Sequence, residues 1–128
     1  MGNNSNLKIG SITWTDLTVP NAVEVRDFYS EVVGWKAEPF SMGDYDDFIM
    51  NMPDGKTAAG ICHLKGVNKS FPSQWLIYIT VENLDESIRK CREKGGKIII
   101  ETKDMGTDGR YCIIEDPAGA VAALFEQS

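Results

Sequence analysis

The chain has 128 residues, with 13 Lys and Arg against 19 Asp and Glu, a formal net charge of −6 and 42% hydrophobic residues. That length suits one domain with its own buried core, the acidic balance disfavours a phosphate backbone as partner, and no apolar run reaches the ~20 residues needed to cross a bilayer. Cys62, Cys91 and Cys112 are odd in number, widely spaced and without a CxxC pair, which predicts reduced thiols and a cytoplasmic protein rather than a disulfide framework or a zinc site.

In chain order, residues 1–6 are polar, without the basic and apolar regions of a secretory signal, and are expected to be a disordered leader. Ile9–Val19, rich in Thr, Ile, Leu and Trp, predicts a strand. Over Asn21–Val33 the apolar residues Ala22, Val25, Phe28, Tyr29, Val32 and Val33 recur at steps of three and four, predicting a helix. Asn21 with Glu24 suggests a capping box, and Gly34 stands where that helix would stop. Strands are expected at Trp35–Phe40, Asp47–Met52 and Ala58–Leu64, and Lys65–Ser73 is expected to link two halves. A strand at Trp75–Val81 precedes a second helix, in which Leu84, Ile88, Cys91 and Gly95 repeat at helical spacing and Asn83 with Glu86 repeats the cap. Three more strands are expected at Lys97–Lys103, Tyr111–Glu115 and Ala120–Glu126.

Displaced by 62 residues, the halves coincide: Thr18-Val19 falls on Thr80-Val81, Asn21 on Asn83, Glu24 on Glu86, Gly34 on Gly96 and Asp54 on Asp116. The expectation is a single α+β domain over 7–128, made of two βαβββ repeats at about 7–64 and 74–127 whose strands form a curled mixed sheet.

Phe28-Tyr29-Ser30-Glu31-Val32-Val33-Gly34-Trp35 resembles the F-Y-x-x-x-L-G-W signature of the vicinal oxygen chelate superfamily, the glyoxalase/bleomycin-resistance/dioxygenase group. Asp116-Pro117-Ala118-Gly119 resembles its D-P-x-G turn, and Trp14-Thr15-Asp16-Leu17 with Trp75-Leu76-Ile77-Tyr78 is similar to a single-domain glyoxalase-like subgroup. The resemblance extends over residues 9 to 126. It implies a cup holding a divalent metal, gripped by His, Gln or Glu at four strand positions, with the metal polarising a substrate oxygen. Matched position by position, those places fall on Trp14, Leu76, Ala123 and the neighbourhood of Gly60. None of Trp14, Leu76, Ala123 and Gly60 offers a side-chain lone pair to a metal, and although His63 or Cys62 could point inward if the register slips near Gly60, one ligand does not hold a metal. No metal and no other cofactor is therefore expected.

Strand alternation then predicts the cup. Trp14, Asp16 and Thr18 should face it while Leu17 and Val19 face the helices; Leu76, Tyr78 and Thr80 should face it while Ile77, Ile79 and Val81 lie behind. Phe48, Met50 and Met52 share one face of their strand, with Phe48 and Met50 expected among the cup residues beside Ala123. Asp16 is a candidate general base and Tyr78 its partner or a substrate donor. Glu101 and Tyr111 remain unassigned to a face, Arg110 could meet an anionic ligand, and the lone His63 is expected at the surface end of a strand. The reading is a protein that binds a small organic molecule in a metal-free cup, expected as a homodimer. The alternatives are a metal-dependent glyoxalase-like lyase, isomerase or dioxygenase, and an interaction domain whose cup is filled by its own side chains.

Overall fold

The computed structural model describes residues 7–65 and 71–128, so the expected leader and most of the expected linker lie outside the described residues. Strand β1 covers Ile12–Val19 and helix α1 Ala22–Val33. Strands β2, β3 and β4 follow at Lys36–Ser41, Asp46–Asn51 and Thr57–His63. Strand β5 is Trp75–Thr80, helix α2 Leu84–Glu93, and strands β6, β7 and β8 are Lys97–Asp104, Gly109–Glu115 and Val121–Gln127. The α+β class and the twice-repeated order of strand, helix and three strands hold.

The chain divides into two compact units: Thr15–Trp75, and the N-terminal segment to Trp14 together with Leu76–Ser128. In the first, the strand order is β2-β3-β4-β1. Strands β1 and β4 are parallel, and β3 pairs antiparallel with β2 and β4. The second repeats the pattern as β6-β7-β8-β5, with β5 and β8 parallel and β7 antiparallel to both neighbours. The segment before Trp14 joins this second unit through backbone bonds. Gly10 N–H donates to Thr80 O at 2.7 Å, Thr80 N–H to Ser11 O at 2.9 Å, and the Thr13 and Thr80 hydroxyls lie 3.1 Å apart.

Each helix covers one face of its own strands. In the Thr15–Trp75 unit, Leu17, Val19, Ala22, Phe48, Met50 and Ile61 form the core, with Val25, Tyr29, Trp35 and Trp75 packed against it. Burying an aliphatic or aromatic side chain of this size contributes roughly 1.5–3 kcal/mol. In the second unit Leu84, Ile88, Cys112 and Leu124 do the same, with Ile79, Val81, Ile98 and Ile114 around them. The apolar spacing of α1 overstates its inward face. Phe28 is 56% exposed and Val32 61%, so only part of the three-and-four pattern meets the strands.

The two expected helix caps differ. Asn83 Oδ1 accepts the Glu86 N–H at 3.1 Å, as the sequence predicts. Asn21 makes no side-chain cap; at φ −110° and ψ 51° it donates its amide to Glu24 Oε1 at 3.0 Å. The capping box expected there is thus replaced by a side-chain pair. Asn83→Ala should therefore cost about 1 kcal/mol of stability, and Asn21→Ala no more than about 0.5 kcal/mol, in paired urea titrations. Gly34 ends α1 as expected, in the left-handed region at φ +79° with its N–H on Ser30 O.

Candidate functional site

The face of the Thr15–Trp75 unit turned away from α1 is built by alternation along β1, where Asp16 and Thr18 oppose the core residues Leu17 and Val19. Register fixes its neighbours: Asp16 stands opposite Gly60 and Thr18 opposite Cys62. On β3, Phe48 pairs with Ile61 and points into the core, so Asp47 points the other way. Asp16 is only 9% exposed and Asp47 only 8%. Burying a carboxylate is costly unless it is hydrogen-bonded.

Asp47 is. Its Oδ1 accepts the backbone N–H of His63 at 2.8 Å, and the ring Nδ1 of His63 stands 3.4 Å from the same oxygen. The Cys62 thiol also hydrogen-bonds to Asp47. Burial first, and then the charges of Asp16 and Asp47, hold that thiol far above the ordinary range, so it stays protonated. The Tyr45 ring meets His63 edge-on at 5.5 Å and carries Lys65 Nζ 4.7 Å above it. Desolvation and then Asp47 raise the Tyr45 phenol. Beyond the histidine, at the start of α1, an open depression of about 540 Å³ is lined by residues including Pro20, Asn21, Val23, Glu24, Asp27 and His63.

In the other unit, Leu76, Tyr78 and Thr80 alternate with Ile79 and Val81, which pack on α2. Tyr78 stands opposite Ala123, and its ring centroid lies 6.0 Å from that of Tyr111. Leu76, Tyr78 and Ala123 are buried, Tyr111 and Trp14 half-buried. This face is hydrocarbon, aromatic rings and hydroxyls.

Several sequence expectations change. Phe48 and Met50 belong to the core beside α1, with Leu17 and Val19, and not to the face that carries Asp16. The pairing of Phe48 with Ile61 sets that side. Arg110 offers nothing to an anion. Its guanidinium holds Glu126 at 3.1 Å and Asp85 at 3.1 Å, and it keeps the Glu126 carboxyl below the usual carboxylate range. Glu101 is engaged at the surface with Arg92. His63 is not a loose surface residue: its side chain is 18% exposed and tied to Asp47. The signal for that pair lay in the β3–β4 hairpin, which brings together residues 16 apart.

The positions matching the superfamily's metal ligands do not fit a chelated ion. Gly60 has no side chain, Leu76 and Ala123 present hydrocarbon, and the Trp14 indole N–H is a donor only. Among the described residues no group of three or more His, Cys, Asp or Glu is arranged to hold a metal.

Comparison with known proteins places this geometry. The model of the Glyoxalase/Bleomycin resistance protein/Dioxygenase superfamily matches residues 11–124. Putative glyoxylase CFP32 of Mycobacterium tuberculosis is 28% identical over 131 residues, covering 98% of this chain and 49% of that protein. Anthracycline biosynthesis protein DnrV of Streptomyces peucetius is 25% identical, over 92% of this chain and 47% of that protein. The chain thus spans about half the length of these curated relatives. The crystal structure of methylmalonyl-CoA epimerase from Mycobacterium tuberculosis superposes with a TM-score of 0.59 at 15% identity, covering 98% of this chain and 94% of that one, a likeness of fold.

Proposed function

Because the chain belongs to the Glyoxalase/Bleomycin resistance protein/Dioxygenase superfamily, we propose that it binds a small organic molecule and does so without a chelated metal. One observation carries this reading. The strand positions that the family resemblance assigns to its ion fall on Trp14, Leu76, Ala123 and the neighbourhood of Gly60, which supply no donor set. Beside Leu76 and Ala123 the Tyr78 and Tyr111 rings stand 6.0 Å apart, hydrocarbon and phenol groups of the kind that line organic-ligand sites. The relatives' names, a glyoxylase and an anthracycline biosynthesis protein, are compatible with ligands of that kind.

The test combines metal analysis with thermal shift. Protein offered zinc, nickel, manganese and iron and then dialysed should retain substoichiometric metal. A panel of aromatic and amphipathic compounds should contain members that stabilise it, by about 3 kcal/mol at a hundred times their Kd. Tyr78→Ala should abolish that shift. Stoichiometric metal, needed for the stabilisation, would favour the alternative of a metal-dependent lyase, isomerase or dioxygenase. A panel with no active compound would sink the binding reading.

A further inference from the structure

We propose that the outer flank of α1 is the surface on which a second copy of this chain docks, as a two-fold dimer with the two helices antiparallel. The surface lies wholly within the Thr15–Trp75 unit. It shares no residue with the Tyr78 face, so the dimer and the ligand can be tested apart.

The patch is aromatic and continuous. Phe28 is 56% exposed and Val32, one turn on, 61%, so the two form an outward ridge on α1. The Phe28 ring meets Tyr29 edge-on with centroids 5.1 Å apart, and Tyr29 stacks on Trp35 at 5.6 Å. Trp75 stands against both, at 5.3 Å from Tyr29 and 5.9 Å from Trp35, and its indole N–H donates to the Tyr29 hydroxyl at 3.1 Å. Tyr29, Trp35 and Trp75 are half-buried, and they fix the ridge on a packed base.

The internal repeat supplies a comparison within one chain. Displaced by 62 residues, Phe28 falls on Lys90, Val32 on Lys94 and Trp35 on Lys97, and all three lysines are exposed. The second unit thus shows what this flank carries when water covers it. The first unit carries a phenyl, an isopropyl and an indole in the same places. Each Å² of that surface kept from water is worth roughly 25 cal/mol, and aromatic residues at the centre of a patch are the composition of a protein interface.

Charge and size choose a second copy as the occupant. Glu24 lies one turn before Phe28, Lys36 follows the C-terminal end of α1, and both are exposed. Antiparallel two-fold pairing brings Phe28 of each copy to Val32 of the other and Glu24 of each to Lys36 of the other, the self-complementarity that a two-fold interface requires. It also keeps carboxylates out of the centre, which matters between chains of net charge −6. A stable interface buries about 800 Å² per copy; the ridge and its rings form the apolar centre, with Glu24, Glu31 and Lys36 as the polar rim. The curated relatives are about twice as long as this chain, so each carries a further domain's length beside the matching part, and a second copy supplies that mass here.

Sedimentation velocity of the whole protein, from micromolar to millimolar concentration, provides the test. The parent should sediment as a dimer that dissociates on dilution. Phe28→Lys with Val32→Lys, which gives α1 the residue type of its repeat, should weaken the dimer at least about a hundredfold, the scale of two residues at an interface centre. Both side chains are exposed, so far-UV circular dichroism should remain that of the parent. Val32→Lys alone should weaken the dimer about tenfold and serves if the double variant does not fold. Lys90→Glu with Lys94→Glu, on the flank of α2, should leave the dimer as it is. Lys36→Glu should weaken it about threefold, the scale of exposed ion pairs, and adding Glu24→Lys should restore it. A parent that stays monomeric to millimolar concentration would give the patch to another partner and overturn the proposal. So would a dimer as tight in Val32→Lys as in the parent, an equal loss from the α2 variant, or a charge swap that restores nothing.

Discussion

Gly109→Ala is expected to destabilise the protein by more than about 3 kcal/mol, the largest effect of any glycine substitution in the second unit. Two causes combine. Gly109 has φ +140°, a conformation that side chains rarely adopt. A Cβ built there would sit 2.1 Å from the backbone oxygen of Glu126 and 3.1 Å from Gln127 Cα. Those are backbone atoms of β8, which cannot rotate aside like the end of a side chain. The close approach exists because Gly109 pairs directly with Gln127 while its own carbonyl closes the preceding turn onto Met105 N–H at 2.7 Å. Moving β8 away would also disturb Glu126, whose carboxylate accepts the Leu84 N–H at 2.7 Å and holds Arg110. Gly106 is the control. It lies in the same turn at φ +69° with nothing within 4 Å of a built Cβ, so Gly106→Ala should cost only the backbone term, about 1–2 kcal/mol. Urea titrations followed by circular dichroism read both. Equal losses would mean that the steric contact with β8 contributes nothing.

What the sequence could disclose depended on how local the cause was. Gly34 and Asn83 act within one turn of their helices, and both stand where the pattern put them. The alternation of Leu17 and Val19 against Asp16, and of Ile79 and Val81 against Tyr78, is a property of one strand at a time and also survives. The helix side of β3 is not such a property. Phe48 and Met50 look alike in sequence whether they face the helix or the opposite side, and only the pairing with Ile61 and Ala59 decides. The same limit explains His63. As a lone histidine near a strand end it reads as surface, and its partner Asp47 becomes visible only when the hairpin folds back. Asn21 differs in its backbone: at φ −110° and ψ 51° it makes no side-chain cap and gives its amide N–H to Glu24 instead. The family resemblance supplied the fold and the four ligand positions, and those positions hold hydrocarbon, an indole and a glycine.

Asp47→Ala should cost about 2–4 kcal/mol, because it removes the acceptor from donors that remain in a closed environment. The His63 N–H, the His63 ring and the Cys62 thiol all converge on that carboxylate, and no water reaches a side chain 11% exposed as freely as it reaches a surface aspartate. Asp47→Asn keeps one oxygen for the backbone N–H and should lose roughly half as much. A second readout separates this from generic damage. Burial is the first cause that raises the Cys62 thiol, with Asp16 and Asp47 next. Removing Asp47 takes away one of the two charges and the hydrogen bond, so native-state alkylation by iodoacetamide at pH 8 should quicken in Asp47→Asn while staying slower than for an unfolded thiol. The same shift governs stability at alkaline pH. A thiol raised on folding holds its proton in the native state after the unfolded chain has released it, so its contribution is complete below the unfolded value near ~8.5 and is lost as the pH rises beyond it. Identical alkylation rates in the two proteins would show that the carboxylate does not act on the thiol.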